Sequence, residues 1–476
     1  MSLRLIPVAL VGLFALGAPA LAQPLRVPAT AASATALDRY VAAPDPAYRW
    51  SVVATRQEGP LTVTTLQMTS QTWLTAAEVD RPEWTHYLTV IRPEVVESDT
   101  SLLFIAGGGN DGAGKLPKTD AMLAAFATRT KTIVTELRMI PNQPLTFFKD
   151  GVARKEDDLI AYGWRKYLDG GDDQWLARFP MTKAAVRAMD TVQAFAQSPE
   201  GGRRAVTKFV VSGGSKRGWT TWTTAAVDSR VVAIMPAVID VLNMRPSMIH
   251  HYRAYGFWAP SVGDYVTHGI MDRMADPRFD TLLSLVEPYS YRDRLTIPKF
   301  VINASGDQFF LPDSWQFYFD DLKGEKYLRY VPNTDHSLKG SNAPDSLLAF
   351  YGAIVKGAAR PRFDWTAGKD GALTLKPDTT PAKVTFWQAT NPAARDFRIE
   401  SLGPVWKATE VQPDANGVYR AQVTAPDKGF TAGFLEVVFD YGGPAPLTFS
   451  TGVRVMPDVL PFAAPKPGQP ATPSQP

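Results

Sequence analysis

Cysteine is absent from this chain of 476 residues. That excludes disulfides, a thiol nucleophile, thiolate metal sites and cysteine-linked lipids. Histidine is scarce. The five are His86, His250, His251, His268 and His336, so chemistry that needs an imidazole has few places to sit. His250 and His251 are sequence neighbours whose side chains need not converge, so neither a metal site nor any other cofactor is expected. A charge excess is also lacking. The formal net charge is +3, one unit of which belongs to Arg4. That is too near neutral, and too evenly spread, for nucleic acid or an anionic membrane to be the main partner. No internal repeats are present.

The N-terminus carries the longest apolar run, Leu5 to Leu16. It holds Pro7 and Gly12 and falls short of the roughly 20 residues a membrane span needs. Preceded by Arg4 and followed by Ala20-Leu21-Ala22 before Gln23, it reads as a signal peptide over 1–22, removed on export to a periplasmic or extracellular location, with no membrane span in the mature chain. A membrane anchor is the weaker alternative. A core of this size needs no disulfides to be stable outside the cell.

The rest divides by texture. Residues 23–35 are rich in Ala, Thr and Pro and are expected to be a disordered linker. Leu61–Leu66 and His86–Ile91 alternate as antiparallel strands do. From Leu102 onward, short apolar runs without polar alternation (102–106, 132–134, 208–211, 231–235, 299–302 and 327–331) are separated by longer stretches. Residues 183–196 and 345–356 have helical spacing. Strands apolar on both faces predict a mainly parallel sheet covered by helices, an α/β domain over 36–360. The stretch 240–296, rich in aromatics, is long enough to be a cap over a site or extra packing helices. Short runs at 384–387, 397–399, 406–411, 419–423, 435–439 and 447–455, punctuated by turn residues, predict a β-sandwich of immunoglobulin or fibronectin type over 361–456. Residues 457–476, rich in Pro and Ala, are expected to be a flexible tail.

Three segments carry chemistry. In Val210-Val-Ser-Gly-Gly-Ser-Lys-Arg-Gly-Trp219, a buried strand runs through Gly213 and Gly214 to Ser215 and into a helix. That is the setting of a nucleophile elbow, although Arg217 stands where G-x-S-x-G has its final glycine and Gly218 comes one place later. Gly107-Gly108-Gly109 follows an earlier buried strand. Its backbone N–H groups, with that of Lys216, could form an oxyanion hole. A phosphate loop through Gly107, Gly109 and Gly112 is the rival, but it lacks the G-K-[ST] and ribose-binding partners. Asp307 follows one later strand and His336 the next. The order Ser…Asp…His is that of α/β-hydrolases, with Asp307 holding the imidazole of His336 and Asp240 as runner-up acid. Residues 314–322, between them, are read as helical.

Segments 212–222, 141–144, 156–164 and 306–310, with 332–337 and Leu37–Ala42, resemble the PhoPQ-activated pathogenicity-related family. The resemblance spans roughly 36–456 and implies an exported α/β-hydrolase core. The family name supplies no substrate. The expected reaction is acyl transfer to water at an ester or amide, ester favoured over peptide, on a small-molecule, peptide or glycan-ester substrate. A non-catalytic secreted binding or signalling protein, and a carbohydrate-directed esterase or serine peptidase, are the alternatives. Lys216 and Arg217 are expected either to lie on a solvated face or to form a salt bridge to a nearby carboxylate; the sharper alternative has Arg217 reaching a carboxylate that fixes the elbow, with Lys216 acting mainly through its backbone N–H. Oligomeric state is not legible.

Overall fold

The computed structural model describes residues 34–111 and 115–466. The expected signal peptide, most of the linker, Gly112 and the last residues of the tail lie outside the described residues.

Nine strands form one sheet in the order β1-β2-β3-β5-β4-β6-β7-β8-β9. They are β1 Arg49–Glu58, β2 Leu61–Thr72, β3 Glu83–Pro93, β4 Thr100–Ile105, β5 Val134–Leu137, β6 Lys208–Gly214, β7 Val231–Ala237, β8 Lys299–Ala304 and β9 Lys326–Val331. β1, β2 and β3 pair antiparallel, and β3 pairs antiparallel with β5. From β5 to β9 every pairing is parallel. Five of the six apolar runs become parallel strands, buried almost throughout; the run 132–134 only meets the start of β5, Val134–Leu137, which also carries Thr135 and Glu136. The edge strand β1 is mostly exposed and carries a bulge between Val52 and Ala54, which turns an open edge away from flat pairing.

The helices are α1 Ala36–Ala42, α2 Ala121–Thr130, α3 Glu156–Leu168, α4 Arg178–Gln197, α5 Lys216–Val227, α6 Met244–Tyr255, α7 Gly263–Thr267, α8 Pro277–Val286, α9 Ala343–Val355 and the single turn α10 Ile399–Leu402. Among the described residues, no helix is long and apolar enough to cross a membrane.

Beyond α9, two antiparallel sheets follow. One has three strands, β10 Phe363–Ala367, β11 Ala372–Pro377 and β14 Tyr419–Gln422. The other comprises β12 Lys383–Asn391, β13 Lys407–Glu410, β15 Phe430–Phe439, β16 Leu447–Ser450 and β17 Arg454–Met456. An aromatic seam joins them to the large sheet. The Phe449 ring stacks on Tyr327 at 4.2 Å, and Trp365 meets Trp315 edge-on at 5.0 Å.

Four expectations are corrected. Residues 34 and 35 belong to the fold: Thr35 caps α1 in a reciprocal capping box with Asp38, which also accepts from Arg294. Residues 314–322 hold only a 3₁₀ turn at Ser314–Phe317. Their hydrogen bonds go elsewhere, Trp315 Nε1 to the Val453 carbonyl and the Tyr318 hydroxyl to Asp240. Residues 397–399 are no strand but the entry to α10, because the Ile399 N–H donates to the Gly306 carbonyl. The start of the tail, 457–466, is described and packs: Leu460 lies against the Ala254, Tyr255, Ala259 and Leu311 cluster, and the Phe462 N–H donates to the Arg253 carbonyl at 3.0 Å.

Candidate active site

β6 ends at Gly214 and α5 begins at Lys216, so the chain must reverse on Ser215. Ser215 has φ 57° and ψ −126°, a conformation costly for a side-chain-bearing residue. Two glycines permit the close crossing. A Cβ on Gly213 would lie 2.8 Å from the Arg217 carbonyl, and one on Gly218 would lie 2.9 Å from the Ala237 carbonyl of β7. Gly218 therefore provides the helix–strand clearance one place later than in G-x-S-x-G. As the first residue of α5, Lys216 has an N–H with no intrahelical acceptor.

Position 217 has a different function. The Arg217 guanidinium donates to both carboxylate oxygens of Glu156, at 2.7 and 2.6 Å, and to the Ile140 carbonyl at 2.5 Å. Its face lies on Gly107, where a Cβ would come within 2.6 Å of Nη2. Arg217 is thus on no solvated face but paired with a carboxylate. The planar fork explains why arginine and not lysine serves here. Lys216 also forms salt bridges and does not act through its backbone alone. Its side chain is buried, with Nζ 2.9 Å from Glu156 and 2.9 Å from Asp157. Burial alone would raise the Glu156 carboxyl, but Arg217 and Lys216 outweigh it and hold it at about 2.

Glu156 is also tied to the glycine loop. Gln143 Nε2 donates to Glu156 at 2.5 Å, and the Asn110 N–H donates to the Gln143 carbonyl at 2.5 Å. The carbonyls of Ala106 and Gly107 are taken by the N–H groups of Ile140 and Met139. One carboxylate thus connects the Gly107–Gly109 loop with the turn at Ser215. Sequence reasoning did not single out Glu156 or Gln143 as site residues, although both fall in the family-like segments. The available signal was the run Glu156-Asp157-Asp158 opening a helix.

Asp307 and His336 come together. The His336 imidazole Nδ1 donates to Asp307 Oδ2 at 2.7 Å, while Asp307 Oδ1 accepts from the N–H groups of Phe309 and Phe310. The His336 N–H donates to the Gln308 side chain at 3.0 Å. Its Nε2 is buried with no hydrogen-bond partner. Asp240, the runner-up, does not reach the histidine. It accepts from the hydroxyls of Tyr318 and Tyr330 at 2.7 and 2.5 Å, and burial pushes its carboxyl up to about 8.

A small cavity lies beside Ser215. Phe309 lines it too, with its ring 4.3 Å from that of His336. The 240–296 stretch also lines the cavity, through Met244, Met248 and Val262. That stretch is held to α3 by Tyr265, which donates to Asp157 at 3.1 Å, and by His268, whose Nε2 is 2.6 Å from Asp158.

A sheet antiparallel at one side and parallel from β5 onward, with Ser215 on a strained strand–helix turn and an Asp–His pair after the last two strands, defines an α/β-hydrolase. Within that superfamily the chain belongs to the PhoPQ-activated pathogenicity-related protein family, whose model matches residues 37–398. It is 38% identical over 458 residues to autocrine proliferation repressor protein A of Dictyostelium discoideum, covering 90% of this chain and 92% of the relative. Among solved structures it is similar to acetyl xylan esterase 1 of a Thermoanaerobacterium species, at 14% identity and TM-score 0.45 over 67% of this chain and 92% of that one. It is also similar to an S-formylglutathione hydrolase of Agrobacterium tumefaciens, at 13% identity and TM-score 0.41 over 64% and 99%.

Proposed function

We propose that the protein is an exported serine hydrolase that cleaves a carboxylic ester, in preference to an amide, through an acyl-enzyme. His336 Nε2 takes the proton of Ser215 Oγ as that oxygen bonds to the substrate carbonyl carbon. The carbonyl electron pair moves onto its oxygen, which accepts from the N–H groups of Lys216 and the Gly107–Gly109 loop. The intermediate collapses, the bond to the leaving oxygen breaks, and His336 returns the proton to it. Water then repeats the sequence and frees Ser215. Asp307 keeps the imidazole oriented with Nε2 toward the reaction. No cofactor takes part.

The observation that carries this reading is the unpartnered, buried Nε2 of a histidine fixed by Asp307, flanked by the Phe309 ring that shares a cavity with Ser215. In the same reading residues 240–296 cap the site, the two C-terminal sheets over 361–456 make a β-sandwich, and 1–22 are removed on export.

A fluorophosphonate probe tests the chemistry. Ser215 should be labelled in the wild type and label should be lost in Ser215→Ala. A folded wild-type protein that takes no label refutes it. The name of the Dictyostelium relative favours a second reading, a secreted signal without turnover, and the same experiment separates the two.

A further inference from the structure

The cavity beside Ser215 is narrow. Its free space is about 40 Å³. A single water takes about 10–15 Å³ of such space, so there is room for roughly three non-hydrogen atoms. The lining is mainly aromatic and aliphatic and includes Trp164, Trp219, Phe309, Met244, Met248 and Val262. Met244 and Met248 are four residues apart on α6 and so share one helix face.

The polar groups that reach this wall are nearly all engaged with one another. Asp157 is taken by Lys216 and Tyr265, Lys216 by Glu156 and Asp157, and Arg178 donates through Nη1 to the Lys216 carbonyl at 3.0 Å. The Arg178 guanidinium lies 4.4 Å from the Trp219 ring centroid. Only its Nε is buried without a partner. A space bounded in this way rejects a hydrated charge.

We infer that the acyl group of the substrate is short and uncharged, acetyl or propionyl, with its length limited by Met244, Met248 and Val262. This rests on the reading of Ser215 as nucleophile. It places the substrate in the class of acetic and propionic esters and leaves the alcohol side unrestricted.

The test is kcat/KM of the full chain on p-nitrophenyl acetate, propionate, butyrate, hexanoate and hemisuccinate. The maximum should fall at acetate or propionate, with hexanoate lower by at least about tenfold, the low end of what misfitted methylenes cost in a closed pocket. Met248→Ala should move the optimum toward butyrate or hexanoate. Val262→Ala should do so more weakly, and it carries the test if Met248→Ala does not fold. Hexanoate turned over as well as acetate by the wild type overturns the inference. So does a preference for hemisuccinate, which would make Arg178 an anion receptor. Both results require turnover that Ser215→Ala removes, so they leave the nucleophile in place. Absence of turnover on every ester, together with an unlabelled Ser215, instead removes the catalytic reading and the inference with it.

Discussion

Asp240 and Asp307 occupy equivalent places in adjacent strands. Asp240 follows the end of β7 at Ala237, and Asp307 the end of β8 at Ala304, each by three residues. Both are buried. Their surroundings separate them. Asp307 has one oxygen pinned by two backbone N–H groups of its own turn, which leaves the other to meet His336. Asp240 has both oxygens occupied by tyrosine hydroxyls, one from Tyr318 and one from Tyr330. Burial, abetted by the charges of Asp307 and Asp313, outweighs those donors and keeps Asp240 protonated at neutral pH. Position in the fold makes two carboxyls available, and the neighbours decide which one can orient an imidazole.

That contrast can be broken most sharply by kinetics. Ser215→Ala sets the floor, with turnover lower by on the order of 10⁶-fold if the triad behaves as a unit. Against that floor, Asp307→Asn should lose on the order of 10⁴-fold, because an amide favours the wrong tautomer of His336. Asp240→Asn should stay close to wild type, since the amide can still accept from one tyrosine and donate to the other. Equal losses in the two Asn variants would erase the distinction between the strands.

The elbow supplies a smaller effect. Arg217→Lys surrenders the two-pronged contact with Glu156, and Lys216→Ala leaves Asp157 with Tyr265 as its remaining partner. Each should lower unfolding free energy by about 1–3 kcal/mol, read from urea midpoints. A Lys216→Ala variant as stable as wild type would restore the role that sequence assigned to it, through the backbone alone.

The finest test is the pH dependence of stability. Burial pushes the folded Asp240 carboxyl up to about 8, well above the ordinary aspartate value of about 3.9. Between those values the folded state holds a proton that the unfolded chain has released. Stability from this group is therefore full below the unfolded value and is lost as pH rises toward 8, by up to about 1.4 kcal/mol per pH unit. On going from pH 5 to pH 7.5, wild type should lose stability relative to Asp240→Asn. Parallel curves for the two proteins would show that Asp240 is ionised throughout.

The sequence made most of the parallel strands and the three segments at their ends legible, because strands buried on both faces have no polar alternation to blur them. It also placed Asp307 ahead of Asp240 on strand order. It held no trace of the reason, since Tyr318 and Tyr330 reach Asp240 across 78 and 90 residues. The ionic cluster at the elbow was hidden in the same way, with Glu156 meeting Arg217 across 61 residues. The run 314–322 failed as a helix because its spacing of apolar residues answers to partners on other elements, Val453 for Trp315 and Asp240 for Tyr318.

The packing of Arg217 on Gly107 also makes these two positions a coupled pair. A side chain at 107 would collide with the guanidinium, and a glycine at 217 would leave Glu156 without its bidentate partner. Removing the guanidinium relieves the clash at 107, so Gly107→Ala should become tolerable in an Arg217→Gly background. Such epistasis confines drift to joint changes. A linear search for G-x-S-x-G passes over this chain, because Arg217 holds the fifth place and the clearing glycine comes one position later, at Gly218.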